Sequence, residues 1–296
     1  MTKKYKSVAV LKGGISSERE VSLRSGAAVA QGLRADGYDV TEIDIVAKDF
    51  IIPDEVEAVF VALHGAFGED GGIQKILTGR QMPFTGSGAE SCRVAFDKVL
   101  TRERLAARNI PIPLGEVLTV SSARSLSLPL VVKPPREGSS VGCHLVFDEA
   151  DWVASFEDAV RHSGEALVEQ YIPGRELTVG IVDDQVLPVV EIKTASEWYD
   201  FDAKYVTGQT EYVVPAELSA ETTAELQAIA LDVFRCLDAK GFGRVDFRLS
   251  PEGKPYVLEL NSIPGFTATS LLPKAARSAG IEFPELCGRI MELAEF

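Results

Sequence analysis

The chain has 296 residues, 46% hydrophobic and 25% charged, ordinary for a soluble globular protein of two or three domains whose cores need no staples. A net charge of −14 with no long basic run argues against nucleic acid as the main partner, while leaving room for a local cationic site. The first residues lack a signal-peptide pattern, no apolar run approaches a membrane span, and Cys92, Cys143, Cys236 and Cys287 are too scattered for disulfides or zinc, so the expectation is a cytoplasmic protein with free thiols and no membrane insertion.

Residues 7–11 predict a buried strand ending in Lys12-Gly13-Gly14. Ser17 and Glu20 fit a capping box, with Ser17 as N-cap of a helix running to about Arg34 and stopped by Gly37. A strand over 38–45 follows, and this order implies a parallel α/β unit. The Gly13-Gly14 loop lacks Gly-x-Gly-x-x-Gly spacing, so a dinucleotide fingerprint is absent. Glu18 falls in the first helical turn, where its plainest role is to complement the helix dipole. A strand over 56–63 ends at His64, inside a glycine-rich loop at 64–72. In open α/β sheets that end of a strand borders the ligand crevice. The first domain closes near Gly86.

A helix from about Ala89 to Arg108 carries Lys98. Residues 128–133 predict a strand ending in Lys133, a buried lysine in need of a counter-charge. The small residues of 136–142 let backbone N–H groups face an anion, which suits a phosphate-covering loop, although no Walker A motif is present. Asp148 caps a helix over 152–160. Strands over 166–172 and 176–182 flank a Pro-Gly-Arg turn, with Glu169 and Glu176 on either side. Two such acids could accept hydrogen bonds from amino or ribose hydroxyl groups, though taken singly they read as surface charges. The polar stretch 191–215 is expected to be an irregular lid. Ser219 caps a helix from Ala220 to about Ala239, Ser270 caps another whose N-terminus could bind a carboxylate, and Phe283-Pro284 starts the last.

The organising element is a β-hairpin over 243–249 and 256–261. Arg244, Asp246 and Arg248 share a face of its first strand, and Glu259 and Asn261 share a face of its second. If the register aligns the two faces, Asp246, Glu259 and Asn261 converge beside Arg244. Three hard oxygen donors suit Mg²⁺, while the plain alternative is a charged, solvent-facing hairpin.

Seven blocks, in this order, resemble the ATP-grasp ligases, and within them the branch that joins two D-alanines: residues 13–23, 64–71, 133–142, 176–178, 203–205, 244–247 and 259–265. The likeness covers almost the whole chain. Its departures are Asp202, where the branch often has Glu, and Cys143-His144 after the glycine loop. The resemblance implies an α/β, three-domain ATP-grasp fold: an N-terminal parallel α/β (Rossmann-like) domain at 1–86, a central ATP-grasp subdomain at 87–170, and a C-terminal catalytic and metal-binding domain at 171–296. It implies that ATP phosphorylates the carboxylate of one D-alanine and that the amine of a second attacks the acyl phosphate, giving a dipeptide for peptidoglycan precursors.

The resemblance also implies roles for particular residues. Lys98 and Lys133 would hold ATP phosphates, with Glu169 and Glu176 at the adenine–ribose end. Asp246, Glu259 and Asn261 would hold two Mg²⁺ ions, with Mn²⁺ able to substitute. Arg244 and the Gly265 N–H would stabilise the transferring phosphoryl group and the oxyanion. Glu18 would pair with the first ammonium, Ser139 and Tyr205 would link Glu18 to the lid, and Lys204 would face phosphate. Ser270 and the backbone at Leu271 would take the second carboxylate, with His64 near the first substrate. A homodimer through the N-terminal domain is implied as well. The competing readings are a related carboxylate–amine or D-alanine–D-lactate ligase, a nucleotide sensor without chemistry, and a dinucleotide oxidoreductase. The intact Arg244, Asp246, Glu259 and Asn261 set argues against the sensor, and the missing fingerprint against the oxidoreductase.

Overall fold

The computed structural model describes residues 3–193 and 210–296. Strand β1 (Ser7–Gly13) lies between β2 (Asp39–Ile45) and β3 (Ala58–Val61) in a three-stranded parallel sheet. Val8, Ala9, Val10 and Leu11 are fully buried, as expected of a parallel strand covered on both faces. Helix α1 (Arg19–Ala35) packs Val29, Ala30 and Leu33 against the sheet. The expected capping box does not form: the N-cap is Glu18, whose side chain makes no cap hydrogen bond. Ser16, not Ser17, organises the turn. Its hydroxyl accepts from the Glu18 N–H at 3.2 Å and donates to the His64 carbonyl at 2.7 Å. With the turn held by Ser16, Glu18 lines the cleft. A short helix, α2 (Gly72–Gly79), follows β3 and was not anticipated from the glycine-rich loop.

The single helix expected over 89–108 is two helices, α3 (Ala89–Phe96) and α4 (Lys98–Ala107). The break falls at Asp97, whose extended backbone lets its carboxylate accept from the N–H groups of Val99 and Leu100 at 3.0 and 3.2 Å. An N-cap of this kind outweighs helix continuity.

The second sheet is antiparallel, in the order β4-β7-β5-β6, from β4 (Gly115–Leu118), β5 (Leu130–Lys133), β6 (His144–Val146) and β7 (Ala166–Gln170). Helix α5 (Glu149–Ser163) buries Ala159 and Val160 against it. The edge strand β4 escaped the sequence reading because it is short and leaves Val117 exposed.

The third sheet has the order β11 (Glu211–Val213), β10 (Val190–Lys193), β8 (Arg175–Val182), β12 (Phe242–Leu249), β13 (Pro255–Asn261), with β9 (Gln185–Val186) paired to β8. The hairpin is β12 (Phe242–Leu249) and β13 (Pro255–Asn261). Helix α6 (Ala220–Cys236) starts at Ser219, whose hydroxyl accepts from Thr222 N–H at 3.1 Å. The stretch 191–215 is not irregular at its ends. There β10 (Val190–Lys193) pairs with β11 (Glu211–Val213). Its charge misled the reading, because Glu191 is buried and neutralised by Arg175 through two 2.7 Å hydrogen bonds. Asp202, Lys204 and Tyr205, the heart of the expected lid, lie outside the described residues.

Helices α7 (Leu271–Ser278) and α8 (Phe283–Glu292) return the chain to the first sheet. Tyr38 donates to Glu292 at 2.5 Å, and Phe84 bridges to Glu295. Phe60, Phe242 and Phe266, with ring centroids 5.6, 5.7 and 5.9 Å apart, join the first and third sheets. That packing fixes the loop before α7 between them. All four cysteines are free, and among the described residues no helix is long and apolar enough to cross a membrane.

Candidate active site

The hairpin register places Arg244 opposite Asn261 and Asp246 opposite Glu259, so the two polar faces coincide. The Arg244 guanidinium grips Asp246 through two hydrogen bonds of 2.8 and 2.7 Å, and Thr178 on β8 donates to the same carboxylate at 2.5 Å. Glu259 faces the Lys98 ammonium at 3.3 Å. Asn261 Oδ1 is buried with no hydrogen-bond partner among the described residues, an orphan acceptor that a cation would satisfy. Among the described residues no three His, Cys, Asp or Glu side chains form a ready cage. Two carboxylates and an amide oxygen are nonetheless the donor set Mg²⁺ uses when substrate phosphates complete its shell.

The α3–α4 break serves the loop above this floor. Lys98 N–H binds the Pro135 carbonyl at 3.0 Å, Lys98 Nζ donates to the Glu137 carbonyl at 2.9 Å, and Arg136 pairs with Asp97 at 3.2 Å. The loop crosses to α1, where Ser139 donates a short hydrogen bond to Glu18. Ser139 and Ser140 adopt φ of 47° and 62°, strained for residues with a side chain and typical of ligand clamps. Gly138 allows the close approach, since a Cβ there would meet Glu18 Oε2 at 2.5 Å.

At the far end, Lys133 meets its counter-charge. Its ammonium lies 2.5 Å from Glu169 on β7, and Arg102 from α4 pairs with the same carboxylate. Burial pulls the Lys133 ammonium down, but the charge and hydrogen bond of Glu169, with the charges of Cys143 and Glu259, together outweigh it and leave it above the usual lysine value. Glu176 pairs with buried Arg248 at 3.3 Å.

Two cavities run through this region. The larger, of 440 Å³, is lined by Glu18, His64, Arg244, Asn261, Gly265, Ser270 and Leu271. The smaller, of 110 Å³, is lined by Lys133, Glu169, Glu176 and Asp246. Lys98, Glu137, Ser139 and Glu259 line both. His64 is buried in the wall of the larger cavity: Nδ1 lies 3.0 Å from the Ile263 carbonyl and Nε2 3.0 Å from Ser25 Oγ. A carbonyl only accepts, so Nδ1 carries a proton and donates to it, while Nε2 shares a hydrogen bond with the Ser25 hydroxyl. Ser25 Oγ in turn accepts from Phe266 N–H at 3.1 Å, so His64 holds the 263–266 loop in place.

Sequence reading missed Arg102, Thr178 and Ser25, together with Arg24 and Lys274, which line the larger cavity, and it placed Arg248 on the hairpin face without its partner Glu176. Of those missed, Lys274 carried a signal, four residues after Ser270 and so on the same helical face.

A small-residue loop held over two lysines, facing a carboxylate-bearing hairpin across a cleft between two antiparallel sheets, defines the ATP-grasp class of ligases. A family model described as D-ala D-ala ligase C-terminus matches residues 115–292. The chain is 46% identical to the D-alanine–D-alanine ligase of Syntrophotalea carbinolica, covering 97% of this chain and 95% of that one. It superposes on the D-alanine–D-alanine ligase of Bacillus anthracis complexed with ATP with a TM-score of 0.86 and 31% identity, over 97% of each chain. It superposes on the VanG D-Ala:D-Ser ligase of Enterococcus faecalis with a TM-score of 0.86 and 27% identity, over 98% of this chain and 99% of that one. The chain belongs to the D-alanine–D-alanine ligase family.

Proposed function

We propose that the protein joins two D-alanines at the expense of ATP, forming D-alanyl-D-alanine, ADP and phosphate for peptidoglycan precursors. The observation that carries this reading is the wall shared by the two cavities. Lys98, Ser139 and Glu259 line both the space beside Glu18 and Ser270 and the space beside Lys133 and Glu176. A carboxylate held in one can therefore meet a terminal phosphate entering from the other.

In this reading a carboxylate oxygen of the first D-alanine attacks the γ-phosphorus and ADP leaves, giving an acyl phosphate. Glu18, oriented by Ser139, holds that substrate's ammonium. Lys98 and Lys133 bind phosphates, with Glu169 and Glu176 toward the adenine and ribose. The second D-alanine, with its carboxylate at Ser270 and Leu271, loses a proton from its ammonium. Its amine attacks the carbonyl carbon, and phosphate leaves as the amide forms. The Gly265 N–H and Arg244 face the charge that develops on the oxygens. Asp246, Glu259 and Asn261 would hold Mg²⁺, which neutralises phosphate charge when bound. His64 positions the Gly265 loop from the lining of the first substrate's cavity.

The domain divisions 1–86, 87–170 and 171–296, a homodimer through the first of them, and a cytoplasmic location belong to the same proposal. The test is ADP release with ATP, Mg²⁺ and D-alanine, with the dipeptide identified by mass. Absence of D-alanine-dependent ADP release would overturn the reading.

A further inference from the structure

Among the described residues, every cation assigned a role so far has a carboxylate beside it: Lys98 has Glu259, Lys133 and Arg102 share Glu169, and Arg244 has Asp246. Two cations lining the larger cavity do not. Arg24 and Lys274 form no ion pair among the described residues, in a chain with an excess of acids. Lys274 sits one turn beyond Ser270 on α7, and its backbone N–H binds the Ser270 carbonyl at 2.9 Å. Residues so spaced are neighbours on one helical face. The ammonium of Lys274 rests over the Tyr212 ring, 4.1 Å from its centroid, so an aromatic face holds it where an acid would otherwise be expected.

We propose that Lys274 selects the acceptor: its ammonium, posed on Tyr212 one turn beyond Ser270, receives the free carboxylate of the second D-amino acid. The assignment rests on the ligase reading above and deepens it. Burial holds the Lys274 ammonium below the usual lysine value, with Arg277 adding to the effect, and an arriving anion relieves both. Arg24, on α1 and lining the same cavity, adds to the field. Charge in this corner favours acceptors that keep a free carboxylate over amides of the same amino acid.

The experiment compares D-alanine with D-alaninamide as acceptors in the unaltered protein, Lys274→Met and Lys274→Arg, at saturating ATP. Lys274→Met should raise the KM for the acceptor at least about tenfold, the size of one lost charge-assisted contact. The KM for ATP should not change. The preference for D-alanine over D-alaninamide should narrow by about the same factor, because a neutral acceptor never used the charge. Lys274→Arg should retain the preference and serves as the folded control. An unchanged acceptor KM and preference in an active Lys274→Met protein would overturn this assignment alone. Failure of the unaltered protein to release ADP with D-alanine would overturn the ligase reading and this assignment with it.

Discussion

Glu259→Gln separates catalysis from folding more cleanly than any other change at the floor of the cleft. The Glu259 side chain is one-third exposed, at 33%, and its ion pair with Lys98 spans 3.3 Å, so the pair is worth no more than about 1 kcal/mol to stability. Glutamine keeps the shape and one oxygen, so the hairpin register opposite Asp246 should survive. The charge it removes lies on the wall common to both cavities, where the acyl phosphate would form. Losing one preorganised electrostatic contact there should lower kcat by about 100-fold or more, roughly 2.7 kcal/mol of barrier. Turnover is read as ADP release at saturating ATP, Mg²⁺ and D-alanine, and stability as the midpoint of urea unfolding. The expected pattern is a large fall in kcat with a nearly unchanged midpoint. A folded Glu259→Gln protein with near-native turnover would remove the metal assignment, and a collapsed midpoint would refute the claim that this carboxylate is spared from folding.

Glu169→Gln should instead cost stability, because it leaves buried Lys133 and half-buried Arg102 without their counter-charge; we expect a loss of about 3–5 kcal/mol in urea unfolding, and a loss below about 1 kcal/mol would contradict the ion-pair geometry. The Lys133 ammonium lies above the usual value of 10.5, so its stabilising contribution is complete below that pH and is lost as the pH rises through the folded value. The stability gap between the unaltered protein and Lys133→Met should thus be flat near neutrality and close in strong alkali, and a gap that widens there would show the sign to be wrong. With D-alanine and D-lactate offered equally, the product at neutral pH should be D-alanyl-D-alanine, with depsipeptide appearing only as the pH falls, because the amine must shed a proton that the hydroxy acid does not carry. Mostly depsipeptide at neutral pH, measured by mass, would overturn the acceptor assignment and leave the first half-reaction standing.

The hairpin was legible because a strand has a period of two, and the stretch of register that pairs Arg244 with Asn261 and Asp246 with Glu259 brings the four polar residues together; the register shift just beyond it, between Asp246 and Phe247, had no mark in the alternation. The need of Lys133 for a partner was legible from its apolar approach, but the partner was not. Glu169 and Arg102 meet it from β7 and α4, and nothing in either local sequence marks the encounter. The reading of 89–108 failed for a more instructive reason. Asp97 and Lys98 are acceptable inside a helix, so periodicity carried the helix straight through them. What breaks it is tertiary: the Asp97 carboxylate turns back to cap α4 and takes Arg136, while Lys98 takes the Pro135 and Glu137 carbonyls. The break thereby anchors the loop whose next residues reach Glu18. Helix continuity at Asp97 and closure of the loop over Glu18 are thus alternatives. A residue that restored the helix there, such as alanine, would loosen the loop at its root, and with it the contact between Ser139 and Glu18 that joins the two ends of the cleft.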